Sequence, residues 1–450
     1  MKHNTAGRWA VLLFLCSMGF STSWAQEKRS LNVQEAIGLS LKNSSQLKYS
    51  NARIEEATAA LKEAVERKLP DASVSGSYLR LNNPDVNLKV KTSSNTGGGG
   101  TTTTESPNPS QAAYGIANVS LPVYSGLRIR YGIESARYLS EAARLDAEND
   151  KEGIILNTID AFNNLYKSKA AVNLVEENLQ TARQRVKDFT NLEQNGLLAR
   201  NDLLKAQLQA SNTELALLDA QNNWQLANIN MNLLLGLPES TELAPDSSSL
   251  ASAATVKPFE EYVQSGLQNR KDLSALALRK KAAETGVKAT AGEKYPSIAV
   301  TGGYVALNVP SVLTVTNAVN LGVGVQYNIA SLWKNNARVQ QAKAREKQVA
   351  ANQDQLSDAI RLQIAQAYQN YLSSQKKIDV YQTAVAQATE NYRIINNKYQ
   401  NSLATATDVL DADAAQLQAR LNFAFAQSDA AVAYNKLLQV AGLLNETTIK

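Results

Sequence analysis

The chain is written twice. Residues 33–82 align without a gap on residues 259–308, with Glu35/Glu261, Asn43/Asn269, Arg53/Arg279 and Pro70/Pro296 among the identities. A denser run follows, from Val74/Val300 through Gly76/Gly302 and Tyr78/Tyr304 to Asn82/Asn308. Residues 116–237 then align on 322–443, with Asp202/Asp408, Ala206/Ala412 and Gly236/Gly442 in step. Whatever this sequence folds into must therefore be buildable from one plan used two times. The offset changes only within 83–115, where the first copy carries Gly97 to Gly100, Thr101 to Thr104, Pro107 and Pro109. The second copy has a shorter segment around Pro310 there. A run of glycine and threonine buries little, which predicts a solvated surface loop. The expected division is a leader over 1–25, a first repeat over 26–245 and a second repeat over 246–450.

The rare residues narrow the chemistry. The one histidine is His3 and the one cysteine is Cys16. Both lie in a segment with basic Lys2 and Arg8, an apolar run from Trp9 to Phe20, and small residues at Ser23 and Ala25. That pattern predicts a secretory signal cut before Gln26. Cys16 sits inside the apolar run behind Phe14 and Leu15, which is the wrong setting for lipid attachment. The mature chain then has neither histidine nor cysteine. Triads, cysteine nucleophiles, Cys or His zinc sites, iron–sulfur clusters and disulfides are excluded. Carboxylate or lysine chemistry survives, but no compact pocket-forming pattern supports a hydrolase, so no cofactor, metal or enzymatic activity is expected. Removing Lys2 and Arg8 lowers the net charge from +5 to +3, too little and too evenly spread to point to nucleic acid. No other stretch is apolar enough for a spanning helix, so entry into a membrane must be by strands.

Each copy reads as helix, strand, loop, strand, long helix, helix. Leu321, Val323, Val325, Tyr327 and Ile329 alternate with Asn320, Gly322, Gly324, Gln326 and Asn328, the period of a strand with one apolar face. Val74, Gly76 and Tyr78 alternate with Ser73, Ser75 and Ser77 in the same way. Strands of roughly 10 residues suit a tilted membrane strand, although a half-buried soluble sheet reads alike. From about Gly126 to Glu193 there is no proline, and Val172, Val175, Leu179, Ala182, Val186 and Phe189 step by three and four. Ile378, Tyr381, Val385, Ala388, Tyr392 and Ile395 repeat the stepping. This is coiled-coil spacing, and such a helix reaches roughly 100 Å. A device crossing an aqueous gap needs that length; so does a coiled-coil rod. Four strands cannot close a barrel, and an open sheet leaves backbone groups unpaired in lipid. Strands that enter a membrane must be shared among several chains.

The tandem repeat, the Leu121-Pro122-Val123-Tyr124-Ser125-Gly126 strand exit and the turns Asn195-Gly196 to Ala206 and Asn401-Ser402 to Ala412 together resemble the TolC-type outer-membrane efflux channels. The resemblance covers essentially the whole mature chain. It implies a mainly α fold with membrane β: a homotrimer whose four strands per chain build a twelve-stranded outer-membrane barrel, over a periplasmic barrel of coiled-coil helices. It also implies docking to a periplasmic adaptor (membrane fusion protein) and an inner-membrane pump of the RND type. The function implied is a passive export duct for drugs or other small molecules. The duct of a type I protein secretion system is an alternative, and a periplasmic coiled-coil scaffold or adaptor is an alternative of another class.

The same resemblance assigns residues at the helix tips. A gate link joins Tyr399 to Asp202, with Asn201 as a further gate contact or a plain helix cap. Asp408 and Asp411 share a helical face and become acidic selectivity rings under threefold symmetry. Read as local chemistry alone, the same acids complement a helix dipole beside a cap at Thr405 or Thr407. Gly196, Leu197, Leu198 and Leu403 are the expected adaptor contacts, Gly196 being equally a helix C-cap. At Ala404 the sequence departs from members that hold the gate with an arginine; Arg200 lies near enough in the first repeat to substitute. Tyr78, Tyr124, Tyr304 and Tyr327 are candidates for an interfacial belt.

Overall fold

A computed structural model describes residues 28–82, 109–246, 256–310 and 312–444. The expected leader over 1–25 lies outside the described residues, as does most of the expected loop over 83–115. The elements run β1 (Lys28–Leu31), α1 (Val33–Asn43), α2 (Ser45–Glu66), β2 (Asp71–Arg80), β3 (Gln111–Ser125), α3 (Arg128–Gln194) and α4 (Arg200–Leu235). The second copy follows as β4 (Glu242–Pro245), α5 (Phe259–Asn269), α6 (Lys271–Ala291), β5 (Ser297–Val309), β6 (Leu313–Gln326), α7 (Ser331–Gln400) and α8 (Ala406–Val440). The long helices are unbroken, 67 residues in α3 and 70 in α7. Two compact units cut across the repeats, so each copy contributes to both. One comprises Ser50–Ala147 and Asp272–Leu356; the other holds the remaining segments.

The first of these units contains a four-stranded antiparallel sheet in the order β2-β3-β5-β6. Its register sets whole rows of side chains on one face. Val74, Ala117, Tyr304 and Val319 form one transverse row, and the adjacent row, on the opposite face, is Ser73, Asn118, Gly303 and Asn320. Alternation continues this toward the helices, with Leu121, Val300 and Val323 in one row and Ser120, Thr301 and Gly322 in the next; toward the far end the polar face gives way to a row of Ser75, Ile116, Val305 and Ala318. Among the described residues nothing covers the apolar face: Val74 and Leu321 are each 85% exposed. β2 and β6 are the outer strands, each with one ladder edge unpaired among the described residues. β3 leaves the sheet through an irregularity between Pro122 and Tyr124, where a missing N–H is tolerated. Gly126 and Leu127 then adopt positive φ (62° and 64°). Gly126 also meets Gly292 backbone to backbone; a Cβ built on Gly126 would sit 2.2 Å from the Gly292 carbonyl oxygen. The repeat identity Arg53/Arg279 has a shared purpose here, because both arginines pair with Asp146.

In the second unit β1 and β4 pair in parallel, with Leu31 and Leu243 buried. The core includes Ile155, Ile159, Phe162 and Leu165 of α3, Met231 and Leu235 of α4, Ile360 and Ile364 of α7 and Leu437 of α8. Both α4 and α8 stop at a glycine in the left-handed region, Gly236 and Gly442, the C-cap conformation that glycine adopts without a Cβ clash. Each of those glycines faces a matched asparagine at the end of a short helix. Gly236 lies against Asn43, whose Nδ2 donates to the Leu235 carbonyl at 2.5 Å, and Gly442 lies against Asn269. The heptad stripe of α3 is buried at Val172, Val175, Leu179, Ala182 and Phe189, whereas the matching stripe of α7 is only half-buried within one chain.

Candidate gate at the helix tips

The helix ends of the second unit meet at the turns 195–199 and 401–405. The first turn is a Schellman stop: Leu197 N–H donates to the Leu192 carbonyl at 2.8 Å and Gly196 N–H to that of Glu193 at 2.9 Å, with Gly196 at φ 71°. The second repeats it, Leu403 N–H to Lys398 at 2.7 Å and Ser402 N–H to Tyr399 at 2.9 Å, but with Ser402 at φ 60°. Serine carries a Cβ into that region at a cost glycine avoids. The residues past each stop point outward. Leu197 and Leu403 are 75% and 76% exposed, which makes them paired apolar knobs. Leu198 differs from the expectation. It packs against a cluster of Phe189, Leu203, Ala206, Ala406 and Leu410 that ties the ends of α3, α4 and α8 together.

Tyr399 joins the same cluster. Its ring lies 5.6 Å from that of Phe189 at an interplanar angle of 38°. Burial raises its pKa, and the nearby charge of Asp202 raises it further, so the phenol stays protonated. Among the described residues no hydrogen bond joins it to Asp202. Asp202 instead lies 3.7 Å from Lys205, whose Nζ donates to Thr407 Oγ1 at 2.9 Å. The connection across the repeats at this level is thus Asp202–Lys205–Thr407. Asn201 is exposed and, among the described residues, its side chain reaches only Asp202, at 3.4 Å.

The two helix starts have diverged. α8 is capped by Thr405, whose side chain accepts from the Asp408 N–H while the Asp408 carboxylate accepts from the Thr405 N–H at 2.8 Å and hydroxyl at 2.7 Å. These hydrogen bonds, the backbone one foremost, hold Asp408 below the usual carboxylate range. In α4 the N-cap is Ala199, which has no side chain to offer. Asp202, the counterpart of Asp408, is therefore left to pair with Lys205. Asp411 is exposed one turn on. Arg200 is exposed and Ala404 half-buried, and among the described residues Arg200 has no salt bridge.

A stronger link sits one turn deeper. Arg185 of α3 donates from Nη1 to Asp413 of α8 at 2.8 Å and from Nη2 to the Tyr392 hydroxyl of α7 at 2.9 Å. The Arg185 and Asp413 side chains are 9% and 7% exposed. Burial alone would lower the Arg185 pKa, but its bonds to Asp413 and Tyr392 outweigh that and hold it above its ordinary value. Sequence reasoning passed over this trio. The available signal is that Asp413 occupies an apolar-stripe position, three and four residues after Leu410 and Val409. A groove of about 570 Å³ beside the trio is lined by Gln184, Asp188, Tyr392, Asn396 and Tyr399 among others. Among the described residues no cluster of acids could hold a metal ion, and no helix is long and apolar enough to cross a membrane.

The family model described as "Outer membrane efflux protein" matches residues 36–237 and 262–443, one match in each repeat. The outer membrane efflux protein BepC of Brucella suis is 23% identical over 325 residues, which span 71% of this chain and 70% of BepC. Among solved structures, the outer membrane protein VceC of Vibrio cholerae superposes with a TM-score of 0.75 at 20% identity, over 91% of this chain and 96% of VceC. The outer-membrane channel OprN gives 0.76 at 19% identity, over 91% and 89%. These likenesses carry the fold.

Proposed function

This chain belongs to the outer membrane efflux protein family, and from that premise we propose that it is the outer-membrane duct of a tripartite efflux system for drugs or other small molecules. The observation that carries the reading is the sheet. Four strands whose apolar face is uncovered and whose two outer edges are unpaired among the described residues cannot be stable alone in lipid. Three copies joined edge to edge close into twelve strands with the apolar face outward. Exposed Leu204, Leu208, Leu215 and Leu226 along α4 and the half-buried stripe of α7 call for neighbouring helices in the same assembly. The chain is then a duplication divided near 245, cleaved after a leader at 1–25, set in the outer membrane and extending into the periplasm.

At the tips, Asp202, Asn201 and Tyr399 form the closed gate, with Lys205 and Thr407 completing the bridge between repeats. Asp408 and Asp411 form acidic rings that favour cations, Asp408 serving also as cap. Leu197 and Leu403, with Gly196 shaping the turn and Leu198 bracing it, receive the adaptor, which couples the duct to an RND-type pump. Opening requires breaking a few exposed polar links, each about 0.5–1.5 kcal/mol net, within reach of adaptor binding energy. The test is single-channel conductance in planar bilayers. The purified protein is expected to run as a heat-resistant trimer, and Asp202→Ala and Tyr399→Ala are each expected to raise the resting conductance. A monomer, or unchanged conductance in both variants, removes the duct or the gate respectively.

A further inference from the structure

Where the sheet hands over to the helices, the first unit holds a pocket of about 350 Å³ whose charge is unbalanced. Three cations line it, Arg128, Lys334 and Arg338, against one carboxylate, Glu293. Arg338 and Glu293 neutralise each other at 2.9 Å. Arg128 is held by Nε donating to the Ser125 carbonyl at 3.0 Å, and among the described residues neither Arg128 nor Lys334 has a salt bridge. The pocket also collects the starts of α3 and α7, and neither helix has an acidic residue in its first turn. Both positive helix ends therefore add to the field of the two cations. Two side chains lining the pocket have polar atoms with no partner among the described residues: Ser331 Oγ and Asn335 Oδ1, on residues 9% and 2% exposed. Orphaned polar atoms at such burial point to an absent binding partner.

We propose that this pocket binds a phosphate-type oxyanion carried by a soluble compound. A tetrahedral anion has enough oxygens to take the Arg128 fork, the Lys334 ammonium and the Ser331 hydroxyl at once. Asn335 Oδ1 is left to accept from a P–OH or a neighbouring alcohol. Ser297 and Gln326 fix the direction of access. They pair with each other at the end of the sheet on its polar face, which is the lumen side if the duct proposed above is correct. The source is then a solute in passage rather than the headgroup of a membrane lipid. Three such pockets would give the duct an anion-attracting belt, opposite in sign to the acidic tips.

The experiment titrates inorganic pyrophosphate into the detergent-purified full-length assembly at low salt, by calorimetry. Saturable binding near one per chain is expected, with affinity at least about tenfold weaker in R128A/K334A and nearly unchanged in R130A, which removes a neighbouring charge outside the pocket. No saturable binding, as would follow if a second copy of the chain fills the pocket, overturns the proposal; so does an equal loss in R130A. Phosphorus analysis of the purified protein forms the second arm. One organic phosphate per chain, lost in R128A/K334A and not displaced by pyrophosphate, would assign the pocket to lipid and overturn the soluble source. Conductance measured on the same preparation separates this from the duct itself. A conducting trimer that ignores pyrophosphate loses only the site, and a non-conducting protein that binds it loses the role in passage.

Discussion

Replacing Asp413 by alanine would leave the Arg185 guanidinium buried with the Tyr392 hydroxyl as its remaining partner. Arginine cannot escape by shedding its proton, so the full desolvation cost of an unpaired charge falls on the folded state. Breaking a pair of this burial costs about 3–5 kcal/mol, a shift of more than about a hundredfold in the folding equilibrium. The same helix supplies a control. Arg183 and Glu214 also bridge two helices at 3.0 Å, but their side chains are 60% and 63% exposed, and Glu214→Ala should cost at most about 1 kcal/mol. Removing both charges should rescue what removing one destroys: Arg185→Met with Asp413→Leu is expected to melt near the parent or above it. Thermal unfolding of the detergent-purified assembly, followed by circular dichroism, reads all four proteins. If Asp413→Ala melts with the parent, or the double variant falls as far as the single one, the burial argument for this trio is wrong.

Gly126→Ala should prevent assembly of the heat-resistant trimer, because its Cβ would overlap the Gly292 carbonyl and its φ of 62° disfavours any side chain; gel analysis of outer-membrane fractions checks this. Ser402→Gly should stabilise the second tip by up to about 1 kcal/mol, since glycine removes the left-handed strain that the equivalent Gly196 never carries; thermal melts read the gain. The Thr405–Asp408 cap predicts a pH dependence of known sign. The folded pKa of Asp408 is depressed, so its contribution is complete above the ordinary carboxylate range and is lost as pH falls through the depressed value. Melting profiles taken between about pH 7 and pH 3 should therefore slope downward on the acid side, and Thr405→Ala should flatten that slope.

The duplication and the period-two strands were legible because both are written in residue order. The Val/Gly alternation of β6 and the shared Pro70/Pro296 place the strands, and the uncovered face of the sheet follows from them. The polar links at the tips were less so. Asp202 and Asp408 look equivalent in the alignment, yet one substitution at the N-cap, alanine for threonine, sends their carboxylates to different partners. The pairing of Asp202 with Lys205 depends on that missing cap, a feature visible only once the helix start is fixed at Arg200. Arg185 and Asp413 are 228 residues apart, and no local pattern joins an arginine flanking one stripe to an aspartate within another. Leu197 and Leu198 look alike as adjacent residues in the sequence, but the Schellman stop turns Leu197 outward and packs Leu198 against the tip cluster.

The unpaired borders of the sheet have a bearing on biogenesis. A freshly exported copy presents ten residues of β2 on one side and fourteen of β6 on the other, both rich in groups that any passing strand can satisfy. Sister copies and misfolded strangers compete for those borders on equal terms until the ring is sealed. Yield on overproduction should thus hinge on how long single copies wait in the periplasm, and slower synthesis should raise the fraction that reaches the membrane.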